Sequence, residues 1–309
     1  VFALGAAPTR AQDFPSRPIR LVVGFPPGGS NDIMARIVAP PLGNILGVQV
    51  VVENKPGANA TIGTDFVAKS TPDGHTVLLA SASPVVITPH AFDKIPYDTV
   101  KDFAGVGNIG VTPEAIAVNM ALPVRNLQEL VALAKTRDIS MASAGAGGIA
   151  HFAIEMLKRQ SGGRFVHVPY KGASPGAVDA VAGHVQGIIN DLPGVIMQIR
   201  EGQLRGIAVM TEKRSELLPE VPGVAEQGMP TLLASNWAGL FVPAATPRPI
   251  VERLHAALNQ VVAIPAVQEQ LKKAGVAPQP SASPAEFQKF VAAEFAKWGA
   301  VAAEAGIRP

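Results

Sequence analysis

A short β-branched run, closed by a glycine- or proline-rich loop and followed by a helical pattern, recurs along this chain and confines it to a narrow set of folds. Ile19 to Phe25 is the first such run; Pro26-Pro27-Gly28-Gly29 ends it, and Ile33, Ala35, Ile37 and Val38 follow at helical spacing. Val48 to Glu53 precedes Ala60 to Lys69, Thr76 to Ala80 precedes a proline-punctuated stretch, and Ile139 to Ser143 precedes Gly147 to Arg159. Arg164 to Val168 then leads into Pro175 to Ala182, and Val185 to Asn190 into Pro193 to Arg200. The unit recurs as structure only, with no convincing sequence repeat beneath it. Strands alternating with helices predict an α/β fold with parallel sheets covered on both faces.

At 309 residues the chain exceeds a typical single core, since domains run to roughly 100–200 residues. Two lobes, and a cleft between them, are expected. The proline-rich segment from Pro96 to Pro123 reads as the first crossing between lobes and Thr231 to Asn236 as the second, with Trp237 to Val242 a strand returning to the first lobe. Helices are expected over Ile250 to Val262, Ala266 to Lys273 and Pro284 to Ala305. Lobe one then comprises residues 12–111 plus 237–309 and lobe two residues 112–236, and the crossings are natural hinges.

Hydrophobic residues make up 48% of the chain, which supports a large aliphatic core and argues against disorder. The net charge of +2 comes without a basic run, so nucleic acid is a poor partner. There is no cysteine, hence no disulfide, thiolate metal site or thiol nucleophile. Val1 to Ala7 is small and apolar, and Thr9-Arg10-Ala11 resembles a small-x-small cleavage site. Residues 1–11 therefore read as the tail of a secretory signal peptide. No other uncharged apolar run reaches about 18 residues, so a soluble mature chain is expected.

Open α/β sheets bind ligands where strand ends pass into helices. Four such loops stand out. In Pro26-Pro27-Gly28-Gly29-Ser30-Asn31-Asp32, glycines permit close approach, Ser30 or Asn31 can cap, and free N–H groups at the helix start favour an anion. Ser143 to His151 formally matches G-x-G-x-x-A through Gly145, Gly147 and Ala150. The acidic residue that a dinucleotide site needs about 20 positions on is missing, and the next strand ends in Lys171 instead, so a small anion fits better than a nucleotide. Tyr170-Lys171-Gly172-Ala173-Ser174-Pro175 offers an aromatic wall, a cation and a helix start. Asn190 can donate to a ligand, whereas Asp191 can cap the following helix, orient other groups or meet an amino group on the ligand.

The six histidines, at 75, 90, 151, 167, 184 and 255, form no metal-ligand spacing, and only His151 falls in a candidate loop. No Gly-x-Ser-x-Gly elbow is present, and Asp32 has no partner carboxylate nearby in sequence, so no catalytic machinery, metal or cofactor is expected.

Together these loops resemble the solute receptors of the tripartite tricarboxylate transporter family, called TctC or Bug-type. The likeness runs through Phe14-Pro15-Ser16-Arg17-Pro18-Ile19, Phe25-Pro26-Pro27-Gly28-Gly29 with Asp32 and Ala35-Arg36, and Val52-Glu53-Asn54-Lys55-Pro56-Gly57-Ala58. It continues through Thr71-Pro72-Asp73-Gly74, Ser143 to His151, and His167-Val168-Pro169-Tyr170-Lys171-Gly172. Leu218 to Pro222, Glu226-Gln227-Gly228, Trp237 to Leu240 and Pro243 to Pro247 complete it.

The resemblance implies a two-lobed periplasmic binding protein type II fold, each lobe a mainly parallel sheet flanked by helices, joined by two crossovers and closing on its ligand. It implies a periplasmic, monomeric receptor without cofactor. The ligand would be a small carboxylate: a di- or tricarboxylate, an acidic amino acid or an aromatic acid. The partners would be the large and small membrane subunits of an ion-driven transporter. Carried over by position, the binding residues are Phe25, Gly28, Gly29, Ser30, Asn31, Asp32, Ser81 and Ser83 from lobe one. From lobe two they are Ser143, Gly145, Gly147, Gly148, His151, Tyr170, Lys171, Gly172, Asn190 and Asp191. Ala82 and Pro84 stand where the family often has Asn and Thr, and Gly148 replaces a frequent Ser, which implies a roomier or less polar pocket. An enzyme acting on a small organic acid, or a sensory receptor for one, would share this scaffold.

Overall fold

The computed structural model describes residues 14–305; the stretch 1–11, read above as a signal remnant, lies outside them. Strands β1 (Ile19–Val23), β2 (Val50–Asn54) and β3 (Thr76–Ser81) alternate with helices α1 (Ser30–Leu46) and α2 (Thr61–Ala68). A π-helical turn (Ser83–Ile87), the short helices α3 (Thr88–Ala91) and α4 (Thr99–Asp102), and the strand β4 (Phe103–Asn119) follow. Then come α5 (Leu127–Thr136), β5 (Ile139–Ser143), α6 (Ile149–Ser161), β6 (Phe165–Pro169) and α7 (Ala173–Ala182). They lead into β7 (Gly187–Asp191), α8 (Ile196–Arg200) and β8 (Leu204–Val209). The chain returns as β9 (Ser235–Pro243) and ends with α9 (Arg248–Ala263), α10 (Pro265–Lys273), β10 (Ala277–Pro278) and α11 (Pro284–Ala305).

The strands form one ten-stranded sheet in the order β2-β1-β3-β9-β4-β7-β5-β6, with β8 and β10 also paired to β4. Period-two burial places alternate side chains in separate cores. Ile19, Leu21 and Val23 of β1, with Val77 and Leu79 of β3, pack against α1, α9 and α10; Val22, Leu78 and Ala80 face the other way, toward α11. In the second lobe Ile116 and Val118 of β4 pack with α5 and α6, whereas Ala115 and Ala117 face α7 and the segment after β7. Each lobe is thus a three-layer α/β unit, and the fold is that of the two-lobed binding proteins.

The sheet is mixed rather than simply parallel. β1 pairs in parallel with β2 and β3, and β5 with β6 and β7, but β9 runs antiparallel to β3 and β4, and β4 antiparallel to β7 and β8. The reason is topological: β4 leaves the first half of the sheet and β9 re-enters it, so the two crossings lie side by side in opposite directions. The Pro96 to Pro123 segment is therefore mostly one 17-residue strand. It is shifted in register between Gly105 and Gly107 and between Asn108 and Gly110, where missing side chains let Phe287, His255 and Ala277 approach the backbone. α6 is also shared: its Phe152 is fully buried and meets Trp298 of α11 edge to face at 6.0 Å.

Candidate functional site

Three helices begin in the cleft, and each begins with glycine. Gly29, Gly148 and Gly172 are the N-caps of α1, α6 and α7, and a glycine cap brings no side chain to the first-turn N–H groups. Ser30 and Asn31, expected as possible caps, instead occupy the first turn of α1. By contrast, Asp98 caps α4 and Asn126 caps α5 with their side chains. Uncapped helix starts leave hydrogen-bond donors and a partial positive charge directed at whatever lies in front of them, although at α6 Ser83 Oγ takes the first of these N–H groups, that of Ile149.

In front of them lies a crevice of about 440 Å3. Of the expected residues, Phe25, Gly29, Ser30, Asn31, Ser81, Ser83, Gly145, Gly148, Asn190 and Asp191 line it. It is joined through Phe25, Asn59, Ala144 and Gly145 to a wider vestibule of about 1910 Å3 that is open to solvent. Tyr170, Lys171 and Gly172 line that vestibule and not the crevice. Gly172, at φ +116°, takes a conformation that favours glycine, and an added Cβ would meet Pro26 at 2.8 Å, so the third loop packs directly on the first.

Gly28, Asp32, Ser143, Gly147 and His151 line neither space, because they hold loops together from behind. Asp32 accepts from Gly28 N (2.9 Å), Asn54 Nδ2 (2.9 Å) and Arg36 Nε (2.9 Å). Burial would raise its pKa, but the hydrogen bonds from Arg36, Gly28 and Asn54 outweigh this and hold the carboxyl below its ordinary value. Ser143 Oγ donates to Gly145 O and shares a 2.6 Å hydrogen bond with His167 Nε2. His151 Nδ1 accepts from Gly147 N at 3.2 Å, and its ring stacks on His167 with centroids 4.0 Å apart. Burial lowers the pKa of both rings, that of His167 to about 3.

Bonds also cross the cleft. Ser83 Oγ accepts from Ile149 N at the start of α6 (3.1 Å), and Thr88 Oγ1 donates to Gly147 O (3.1 Å). Asp191 accepts from Ser30 Oγ, from Asn190 Nδ2 (2.7 Å) and from Asn236 Nδ2 (3.1 Å). Of the three roles open to Asp191 in the sequence, its carboxylate takes that of organising its neighbours. Its side chain caps no helix.

Sequence reasoning missed Asn59, Glu114 and Asn236, all of which line the crevice. Asn59 sits between Ala58 and Ala60, and all three have positive φ (51°, 46° and 70°). For L-residues this region costs roughly 1–2 kcal/mol each, and only Asn adopts it readily. Asn59 Nδ2 donates to Thr88 Oγ1 at 2.8 Å, which steadies the turn. Glu114 on β4 is fully buried opposite Asp191 in the strand register. Burial, with the Asp191 charge beside it, pushes its pKa well above the usual range. Among the described residues there is no cluster of three or more metal-ligating side chains and no helix long and apolar enough to cross a membrane.

Comparison with known proteins agrees with this geometry. Residues 34–307 match the family model described as tripartite tricarboxylate transporter family receptor. The chain is 37% identical over 306 residues to Protein BugT of Bordetella pertussis, covering 98% of this chain and 94% of that one. The solved structure of the periplasmic binding protein BugD is 32% identical with a TM-score of 0.90, over 96% of this chain and 99% of BugD. The R. palustris protein Rpa4515, solved with adipate, is 31% identical with a TM-score of 0.91, over 96% of this chain and all of that one (100%). The chain belongs to the TctC/Bug family of tripartite tricarboxylate transporter receptors.

Proposed function

We propose that this chain is a periplasmic, monomeric receptor that captures a small carboxylate between its lobes, 12–111 plus 237–309 and 112–236, and delivers it to the membrane subunits of a tripartite tricarboxylate transporter. The observation that carries the reading is the convergence of three glycine-capped helix starts on one crevice, which they line through Gly29, Gly148 and, at the first residue of α7, Ala173. One exposed helix start contributes about 0.3–1 kcal/mol toward an anion, and up to about 2 when partly buried, so several acting together hold a carboxylate without an arginine. The adipate bound by a relative with the same fold is a carboxylate of this kind. Binding without turnover is the expected behaviour, because the hydrogen-bonded pair Ser143 and His167 lines neither the crevice nor the vestibule.

A thermal-shift screen of the full chain against mono-, di-, tri- and aromatic carboxylates tests this. A cognate acid at a hundredfold excess over Kd stabilises by about 2.7 kcal/mol, and the acid is recovered unchanged after incubation. Failure of every acid to shift the melt, or consumption of the acid, rejects the reading.

A further inference from the structure

Most of the amide and hydroxyl donors around Asp191 are already engaged. Ser30 Oγ, Asn190 Nδ2 and Asn236 Nδ2 all donate to Asp191, Asn31 Nδ2 donates to Ser81 Oγ, and Asn236 Oδ1 is taken by Ala82 N and Trp237 N. Glu114 is the exception in the other direction. It is 0% exposed, lines the same crevice, and among the described residues neither carboxyl oxygen has a hydrogen-bond partner. A buried polar group of this kind costs about 1–3 kcal/mol if left unsatisfied. Lys and Arg are absent from the crevice lining among the described residues, so its titratable groups are Glu114 and Asp191. The crevice is therefore polarised: helix starts that favour an anion on one part, two acids on another.

We propose that Glu114 is a specificity-determining residue: it receives a hydrogen-bond-donating group on the far end of the ligand, so that the preferred solute is a monocarboxylate bearing an amide, hydroxyl or ammonium group. This rests on the carboxylate-receptor reading above and narrows it. A second carboxylate at that position would lie beside Asp191, which already takes the donors of Ser30, Asn190 and Asn236. A donor group instead satisfies the open Glu114 oxygens. Sites built to pair a polar group discriminate strongly against analogues that leave it unpaired.

The test is calorimetric titration of the full chain with matched sets of equal length: succinate, succinamate and 4-aminobutyrate, then adipate, adipamate and 6-aminohexanoate. In at least one set, the half-amide or amino acid is expected to bind at least about tenfold more tightly than the dicarboxylate. Glu114→Leu, which cannot accept a hydrogen bond, is expected to shrink that ratio at least about tenfold. Equal or tighter binding of the dicarboxylates by the unaltered chain overturns this inference, as does an unchanged ratio in a folded Glu114→Leu variant. The wild-type ratio decides the matter even if the variant does not fold. Binding of none of these acids, together with a flat thermal-shift screen, overturns the receptor reading itself.

Discussion

Ser30, the first residue of α1, donates its hydroxyl hydrogen to the carboxylate of Asp191, the last residue of β7, so that two helix-bearing loops from different lobes meet in one buried hydrogen bond. Ser30→Ala leaves Asp191 with two donors in place of three. Stability is expected to fall by about 1–2 kcal/mol, measured by urea denaturation, and carboxylate affinity to fall with it. A variant as stable as the parent would mean that the bond does not hold the lobes together.

Gly148 tests the crevice from another side. Its φ of −99° suits any residue, but a Cβ there would come within 3.1 Å of Asn59 Nδ2 and 3.2 Å of Ser83 Oγ. Gly148→Ala is expected to cost at most about 1–3 kcal/mol of stability while cutting affinity at least about tenfold, since the added methyl fills space at the helix start. Unchanged affinity would place the ligand elsewhere.

Asp32 gives a pH signature. Its folded pKa lies below the ordinary carboxylate value, so its contribution is fully present above about pH 4 and is lost as pH falls through the depressed value. Asp32→Asn is expected to cost about 1–3 kcal/mol at neutral pH and to flatten the acid limb of the stability curve. Binding should weaken indirectly, through loosening of the Gly28 turn, and equal acid limbs in both proteins would count against the latch.

His167 acts in a different window. Burial lowers its pKa from the usual 6.5 to about 3, so at pH 7 both folded and unfolded rings are neutral. Below about pH 6.5 the unfolded chain takes up a proton that the folded chain refuses, and stability declines as pH falls toward about 3. His167→Gln, which keeps a polar partner for Ser143, is expected to remove part of that slope in chemical denaturation at stepped pH. An identical slope would show that the stacked pair with His151 does not titrate in this range.

Lys171 is exposed at the vestibule and bound into no loop latch. Lys171→Ala is expected to slow association a few-fold at low salt, with little change in dissociation or stability, as rim charges act mainly through on-rate. Stopped-flow kinetics across ionic strength would decide it; a rate insensitive to both salt and substitution rules out steering.

Much of this was legible in the sequence, and the exceptions have physical causes. β1, β3 and β5 are readable because each is an apolar run stopped by a turn, and α11 because its proline start and helical spacing are local. β4 is not, because Gly105, Gly107, Gly110 and Pro113 suit a loop in isolation; pairing with strands distant in sequence, above all β9 more than a hundred residues later, makes the segment a strand. The candidate loops are readable because glycine before a helix has a local meaning. Glu114 and Asn236 lie on crossing strands, away from the strand-to-helix loops that mark a site locally, although a lone glutamate within Val111-Thr112-Pro113-Glu114-Ala115-Ile116-Ala117-Val118 is itself a signal. Gly28, Asp32, Ser143, Gly147 and His151 sit in the right loops, but local spacing cannot tell a group that faces the crevice from one that braces it.

Because Phe152 of α6 is buried against Trp298, the C-terminal helix acts as a stop on how far the mouth can gape. A swing that carried α6 clear would expose an aromatic ring, at a cost of about 1.5–3 kcal/mol for the side chain alone. Parting of the two halves is opposed to that extent by one aromatic contact that lies outside the crevice.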